Sequence, residues 1–401
     1  TFNSNKQINV NNSYFFKDIS NLQLNWEIIE DGKVVQKGTI ANLNIQPRQT
    51  ETLTIPFKAN YKEGKEYFLI VHYVLKTAEP FLEKGYEMAY EQIHLAGAPN
   101  PQSFNPKGKS LKVEQTAGKA VIKGSDFTAT FDLVKGTLAS YSLKGEELVI
   151  SGPQPGFYRA PTDNDIGAGL NQKLRMWRKV YQDTPPGNIK ADVSSTENTA
   201  TITINASLLN GDEKTTQVFT ISGDGSIKVE NQFKAVAGNY KTLMRIGNDL
   251  QLNQNFSNIN WYGRGPGENY TDRKSASLTG NYKSTVNEQY FPYARPQESG
   301  NKTDVRWVSF TSKTGKGLRF EFADELLSFN ALPYSVEDLD PEAEKKQYHS
   351  GELVKRNQIF VHMDKQQLGL QGIDSWGSLP LIEYQIPFKD YSYSYYIKPV
   401  R

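Results

Sequence analysis

The sequence predicts an all-β protein built as two sandwiches, one small and one large. Three observations carry that expectation. Short runs of alternating apolar and polar residues recur along most of the 401 residues. The runs are punctuated by 31 glycines and 19 prolines, the residues that tight turns need. The chain also carries 20 Phe, 22 Tyr and 5 Trp, enough bulk to fill large cores although only 37% of residues are hydrophobic.

The elements follow in order. Leu22, Leu24, Trp26 and Ile28 alternate with polar residues. Asp31-Gly32 then turns the chain into Val34 and Val35, which reads as a hairpin. Leu53, Ile55 and Phe57 alternate, as do Tyr67, Leu69, Val71, Tyr73 and Leu75, and Met88, Tyr90 and Gln92 suggest one strand more. About seven strands in the first 95 residues fit a small immunoglobulin-like sandwich without its disulfide. Residues 96–107 (AGAPNPQSFNPK) hold three prolines and read as a linker. From 108 to 401 strand signals hardly stop: Phe127, Ala129 and Phe131; Ile202 and Ile204; Val218 to Ile221 before Gly223-Asp224-Gly225; Ile227, Val229 and Phe233; Phe320 and Phe322; Ile382, Tyr384 and Ile386. One large two-sheet domain accounts for them. Leu170, Leu174, Trp177 and Tyr181 instead recur at helical spacing and predict a short amphipathic helix.

Composition excludes several functions. Lys and Arg number 46 and Asp and Glu 44, so the clustered basic excess of a nucleic-acid binder is missing. No run of 18 apolar residues exists, so no membrane span is expected. There is no cysteine, which removes disulfides and thiol chemistry, and the four histidines (His72, His94, His349, His362) are too scattered for a multi-histidine metal site. His349 falls in a charged, loop-like stretch. His362 lies in an apolar run and reads as a core histidine. Neither shows a base or metal partner in the sequence. The chain starts without Met or a signal peptide and reads as an excised or processed piece, periplasmic or cytoplasmic.

Four segments hold the residue types that chemistry needs. Arg159–Gly167 (RAPTDNDIG) carries Asp163, Asn164 and Asp165. Were it extended, the two carboxylates would lie on one side ~6.6 Å apart, within the span of glycosidase carboxyl pairs. The alternative is a polar loop whose Asp side chains bond their own backbone. In Trp261–Arg273 (WYGRGPGENYTDR), Glu268, Asp272 and Arg273 read as a structural ion-pair network. Tyr290–Trp307 sets Glu298 and Arg306 among aromatic residues, either as a sugar site or as a buried corner with a paired Glu298. Gly372–Gly377 (GIDSWG) places Asp374 and Trp376 in a glycine-bounded loop, where the indole either rims a pocket or plugs a core.

Together, RAPTDNDIG followed by Trp177, WYGRGPGENYTDR, RPQESGNKTDVRW (Arg295–Trp307) and GIDSWG resemble the C-terminal region of the large β-galactosidases of glycoside hydrolase family 2. Tyr14-Phe15 and the Leu22–Trp26 strand extend the resemblance to the small sandwich before it. The resemblance implies an immunoglobulin-like domain over 1–95, followed over 108–401 by a β-supersandwich similar to galactose mutarotase. It further implies a retaining enzyme acting on terminal β-D-galactosyl residues, whose two catalytic glutamates lie on an upstream TIM barrel. The match assigns this chain no catalytic acid or nucleophile, so alone it is expected to be inactive.

By the same resemblance Trp376 is the aromatic presented to the sugar, with Asp374 beside it, and Asp165 and Gly167 belong to a mobile loop at the active site. Asp163, Asn164, Glu298 and Arg306 are either sugar-site or structural residues. This chain is expected to need no cofactor. Mg or Na belongs to the full enzyme, and the Arg295-Pro296 turn matches a place where some members bind a monovalent cation through backbone carbonyls. The expected partners are a galactoside, the upstream barrel and N-terminal domains of the same polypeptide, and a further copy if the enzyme is a homo-oligomer. The rival readings are a stand-alone carbohydrate-binding module, which would bind galactosides without the barrel, and a mutarotase-like aldose epimerase, which would lose activity on Glu298→Gln.

Overall fold

The computed structural model describes residues 3, 6–99, 104–106, 109–322, 325–340, 348–370, 374 and 377–401. The fold is all-β, and the chain divides into two compact units: residues 1–100 with 279–281, and residues 101–278 with 282–401.

The first unit is a small sandwich. Its four-stranded antiparallel sheet runs Lys33–Ile40, Leu22–Glu30, Tyr67–Leu75, Glu87–Ala96, and Gln7–Asn11 pairs with Thr50–Thr54 as the second sheet. The expected hairpin forms with Asp31 and Gly32 as its two-residue turn, both at positive φ (47° and 77°). That geometry matches the twist of the flanking strands, and glycine tolerates it without strain. Leu22, Leu24, Trp26 and Ile28 face inward and are buried. The described strands number six. The expected alternation at Leu53–Phe57 is only partly a strand, which stops at Thr54, yet Ile55 and Phe57 are buried all the same.

The second unit stacks two nine-stranded sheets. One runs Lys302–Val305, Leu327–Leu332, Gln358–Gln367, Arg245–Asn253, Glu146–Gly156, Thr137–Leu143, Phe127–Asp132, Lys119–Lys123, Lys112–Gln115. The other runs Ile189–Ser195, Thr199–Leu208, Glu213–Ser222, Ile227–Ala235, Tyr391–Val400, Gly317–Phe322, Trp307–Thr311, Asn258–Gly265, Leu278–Thr285. The final strand is thus central, between Ile227–Ala235 and Gly317–Phe322. Inward-facing side chains interlock between the layers: Phe131 meets Phe219 at 5.2 Å, Trp261 meets Phe329 at 5.9 Å, and the Tyr395 hydroxyl donates to Asn248 Oδ1 at 2.8 Å. Full burial of each such ring is worth about 1.5–3 kcal/mol.

Two expectations change. The amphipathic helix forms as a short α-turn, Leu170–Lys173, followed by a 3-10 turn, Arg175–Trp177. Its apolar face is as expected: Leu170, Leu174, Trp177 and Tyr181 are all buried. Trp177 sits among Phe157, Tyr240 and Phe388 at 5.3–5.9 Å, and this aromatic box, rather than continuous helix, decides where the residues lie. The alternation at Ile382, Tyr384 and Ile386 is not a strand. Ile382–Tyr384 is a 3-10 turn with Ile382 84% exposed, while Ile386 is buried in the core and bridges Leu243, so the alternation there mixes surface and core residues.

Candidate functional site

The four motifs of the second unit meet. Thr162 caps a short helix, Asp163–Gly167: its hydroxyl accepts from Asp165 N–H at 3.2 Å while the Asp165 carboxylate accepts from Thr162 N–H at 2.8 Å. This capping box satisfies amide donors that the first helical turn leaves unpaired. The segment is therefore not extended, and the two carboxylates diverge. The Asp165 side chain is 3% exposed and grips buried Arg159 through both oxygens (2.5 and 3.3 Å). The Asp163 side chain is 57% exposed, accepts from Arg295 Nε at 2.9 Å and Gln297 Nε2 at 3.0 Å, and joins this helix to the third motif.

The second and third motifs interlock as tightly. Glu268 accepts from Gly300 N–H at 2.7 Å, from Arg273 Nη2 at 2.5 Å and from the Tyr293 hydroxyl. Gly300 holds φ +84°, and a Cβ there would sit 2.6 Å from the Gln289 carbonyl oxygen, so glycine is required. Asn269 Oδ1 accepts from Thr303 N–H at 2.8 Å and Thr303 Oγ1 at 2.6 Å. Glu298 is buried and accepts from the Tyr270 hydroxyl at 3.2 Å and Asn330 Nδ2 at 2.8 Å. Burial raises its pKa, and the positive charges of Arg159 and His362 oppose that rise. Glu298 is thus held by hydrogen-bond donors, and the buried Arg159 that acts on it electrostatically is itself paired with Asp165. Arg306 lies over the Tyr262 ring at 5.2 Å and donates to the Asp304 carbonyl.

The fourth motif adjoins the first. Asn164 Nδ2 donates to the Leu370 carbonyl at 3.1 Å, and Arg159 Nη2 to that of Leu368 at 3.4 Å. Gly377 takes φ +108°, and a Cβ on it would stand 3.1 Å from the Gly167 carbonyl oxygen. Asp374 accepts from Ser378 N–H at 3.4 Å. Trp376 lies outside the described residues.

One cluster was missed in the sequence. Arg245 donates to Asp249 at 2.5 Å and stands 3.0 Å from Asp364, while His362 Nδ1 lies 2.6 Å from Asp249. His362 Nδ1 is also 2.6 Å from Arg245 Nη1, which can only donate. The Asp249 carboxylate is the acceptor that suits Nδ1–H. Burial works to raise the Asp249 pKa, but the charges of Arg245 and His362 prevail and hold it below the usual range. His362 therefore has a partner after all; the signal was the register Arg245-x-x-x-Asp249 opposite His362-x-Asp364.

Asp163, Asp165, Glu268 and Glu298 each accept at least two hydrogen bonds, which hold the four carboxyl groups in place. At the Arg295 turn, the Arg295 carbonyl accepts from Gln297 Nε2 at 3.2 Å. What the face can do is hold its shape and present side chains: Phe291, Leu379, Leu381 and Ile382 stand exposed on its segments.

Residues 123–397 match the family described as the β-galactosidase small chain, and residues 8–96 match β-galactosidase domain 4. The chain is 32% identical to a β-galactosidase of Priestia megaterium over 394 residues and 30% identical to one of Pseudoalteromonas haloplanktis over 410. These matches cover 98% and 96% of the chain, which spans about 37% of the length of each relative. Among solved structures, a galactose mutarotase related enzyme from Lactobacillus acidophilus is similar over 71% of this chain and 97% of its own, with 8% identity and a TM-score of 0.41. The chain belongs to the β-galactosidase family and fits a C-terminal region of its longer members.

Proposed function

We propose that this chain forms a non-catalytic wall of a retaining β-galactosidase pocket. The reacting pair, two carboxyl groups ~5–5.5 Å apart in a retaining mechanism, belongs to an upstream barrel of the same polypeptide. The chain contributes Trp376 as the face on which the galactosyl ring stacks, Asp374 beside it, and Gly167, at the end of its capped helix, as the start of a loop that closes over substrate and excludes water. The observation that carries this reading is the meeting of the four motifs: Gly377, next to Trp376 in sequence, lies against the Gly167 carbonyl, and hydrogen bonds such as Asn164 to Leu370 and Gly300 to Glu268 tie the segments together. Exposed Leu379, Leu381 and Ile382 follow that loop directly, as suits a face that meets another domain.

The test is Trp376→Ala in the full-length enzyme. A loss of about tenfold in kcat/KM on a galactoside, equal to ~1.4 kcal/mol, is expected with the melting temperature unchanged. Unaltered kinetics would end the stacking role.

A further inference from the structure

The first unit holds an aromatic display that the pocket reading does not use. Phe16 is 97% exposed and Phe81 105%, and Tyr14 and Phe15, just before Phe16 in sequence, are exposed as well. The display is built rather than loose. Buried Asn12 donates through Nδ2 to the Lys17 carbonyl at 2.9 Å and the Ile45 carbonyl at 3.0 Å, and its Oδ1 accepts from Tyr14 N–H at 3.0 Å, so one side chain clamps the whole Phe15-Phe16 turn. Arg48 lies over the Phe15 ring at 4.7 Å.

Phe81 sits at the third position of a tight turn closed by Glu79 and Leu82, whose backbones exchange hydrogen bonds of 2.9 and 3.0 Å. Its φ is +67°, a value that glycine adopts freely and a bulky residue rarely does. A fully exposed ring is thus held where strain argues against it, and strained backbone of this kind gathers at sites of recognition. The two turns are tied together: Glu79 accepts from Lys17 Nζ at 3.0 Å and from Asn21 Nδ2 at 2.6 Å. Tyr14 also lines a groove of about 1000 Å3 that runs past Val10, Tyr73, Met88 and Tyr90.

Fully exposed rings carry ~150–250 Å2 each, so Phe15, Phe16 and Phe81 alone present on the order of 500 Å2 of apolar surface. That matches the largest patch of an ordinary monomer and falls short of the ~800 Å2 per partner of a stable complex between separate chains. A tethered partner needs less area, because a linker supplies a high local concentration. Family members are nearly three times the length of this chain, so such a partner has a source.

We propose that the Phe15-Phe16 and Phe81 turns form the docking face by which this unit seats on an apolar surface of the preceding part of the same polypeptide. The inference rests on the reading of the chain as a portion of a longer enzyme.

Hydroxyl-radical footprinting of the 401-residue chain and of the full-length polypeptide tests it. Phe16 and Phe81 should label in the chain and label at least fivefold less in the longer polypeptide. Exposed Phe291, outside this unit, reports whether the dose is equal. In the longer polypeptide, Phe16→Ser/Phe81→Ser should restore proteolysis at the unit's boundary, while the same change leaves the melting temperature of the 401-residue chain in place. Equal labelling in both proteins would overturn the proposal and leave the pocket reading standing. So would a dimer of the 401-residue chain that the double variant dissolves, since the face would then belong to a second copy. A gene that encodes nothing upstream of this chain would overturn the pocket reading and this one with it.

Discussion

Two carboxyl groups of the second unit are almost equally buried and are treated in opposite ways. Asp165, on the face where the motifs meet, is matched by the equally buried Arg159 through both oxygens and by Thr162 through two further hydrogen bonds. Glu213, at the start of a strand in the other sheet, is fully buried and neither oxygen has a partner among the described residues. Burial pushes its pKa up to about 9, and no neighbouring charge opposes the shift. Where the motifs meet, the fold surrounds the carboxyl with an arginine and hydrogen bonds that fix its position. In the strand, it neutralises the carboxyl instead. A precisely held charge marks the region that must keep its shape, and the unmatched one marks a place where stability is simply given up.

The widest gap between the two should come from removing a counter-charge. Arg159→Met strands the Asp165 carboxylate and should cost about 3–5 kcal/mol in denaturant unfolding, while Arg159→Met/Asp165→Leu should recover most of the loss. If both variants unfold alike, the pair holds no special place. Glu213→Gln should act with the other sign. With the folded pKa near 9 and the unfolded value in the ordinary glutamate range, the native state binds the extra proton between those limits. Stability is then fullest below the unfolded pKa and falls as pH rises toward 9. The variant should therefore gain about 5 kcal/mol at pH 8, at ~1.36 kcal/mol per pH unit, and almost nothing near pH 4.5, and a gain that ignores pH would contradict a neutral carboxyl. Asp163→Asn should be the mildest, since its pair with Arg295 is half in water: below about 1 kcal/mol, and weaker still in high salt.

Much of this was legible in the chain. Period-two alternation placed Leu22–Glu30 and Ile227–Ala235, because each buries one face more than the other, and it also placed Tyr67–Leu75, which the structure buries on both faces over its first five residues. The four motifs were legible as separate segments, but their meeting was not, since Asp163 with Arg295 joins residues more than a hundred positions apart. The Asp163–Gly167 helix was hard to see although Thr162-x-x-Asp165 has capping-box spacing, because a short Asp-rich segment between Pro and Gly equally suits a polar loop. Ile382 misled for a physical reason: exposed apolar residues mimic a buried stripe. Glu213 left a faint trace, sharing its inward register with Thr215, Gln217, Phe219 and Ile221, where a carboxyl is out of place.

The central claim is that this chain shapes a pocket whose reacting groups lie elsewhere, and galactoside hydrolysis by the purified 401-residue chain tests it most directly. With a chromogenic β-galactoside the chain should release no product above buffer, while the full-length enzyme at equal molarity turns it over. Steady release by the chain alone, surviving Trp376→Ala, would contradict the account.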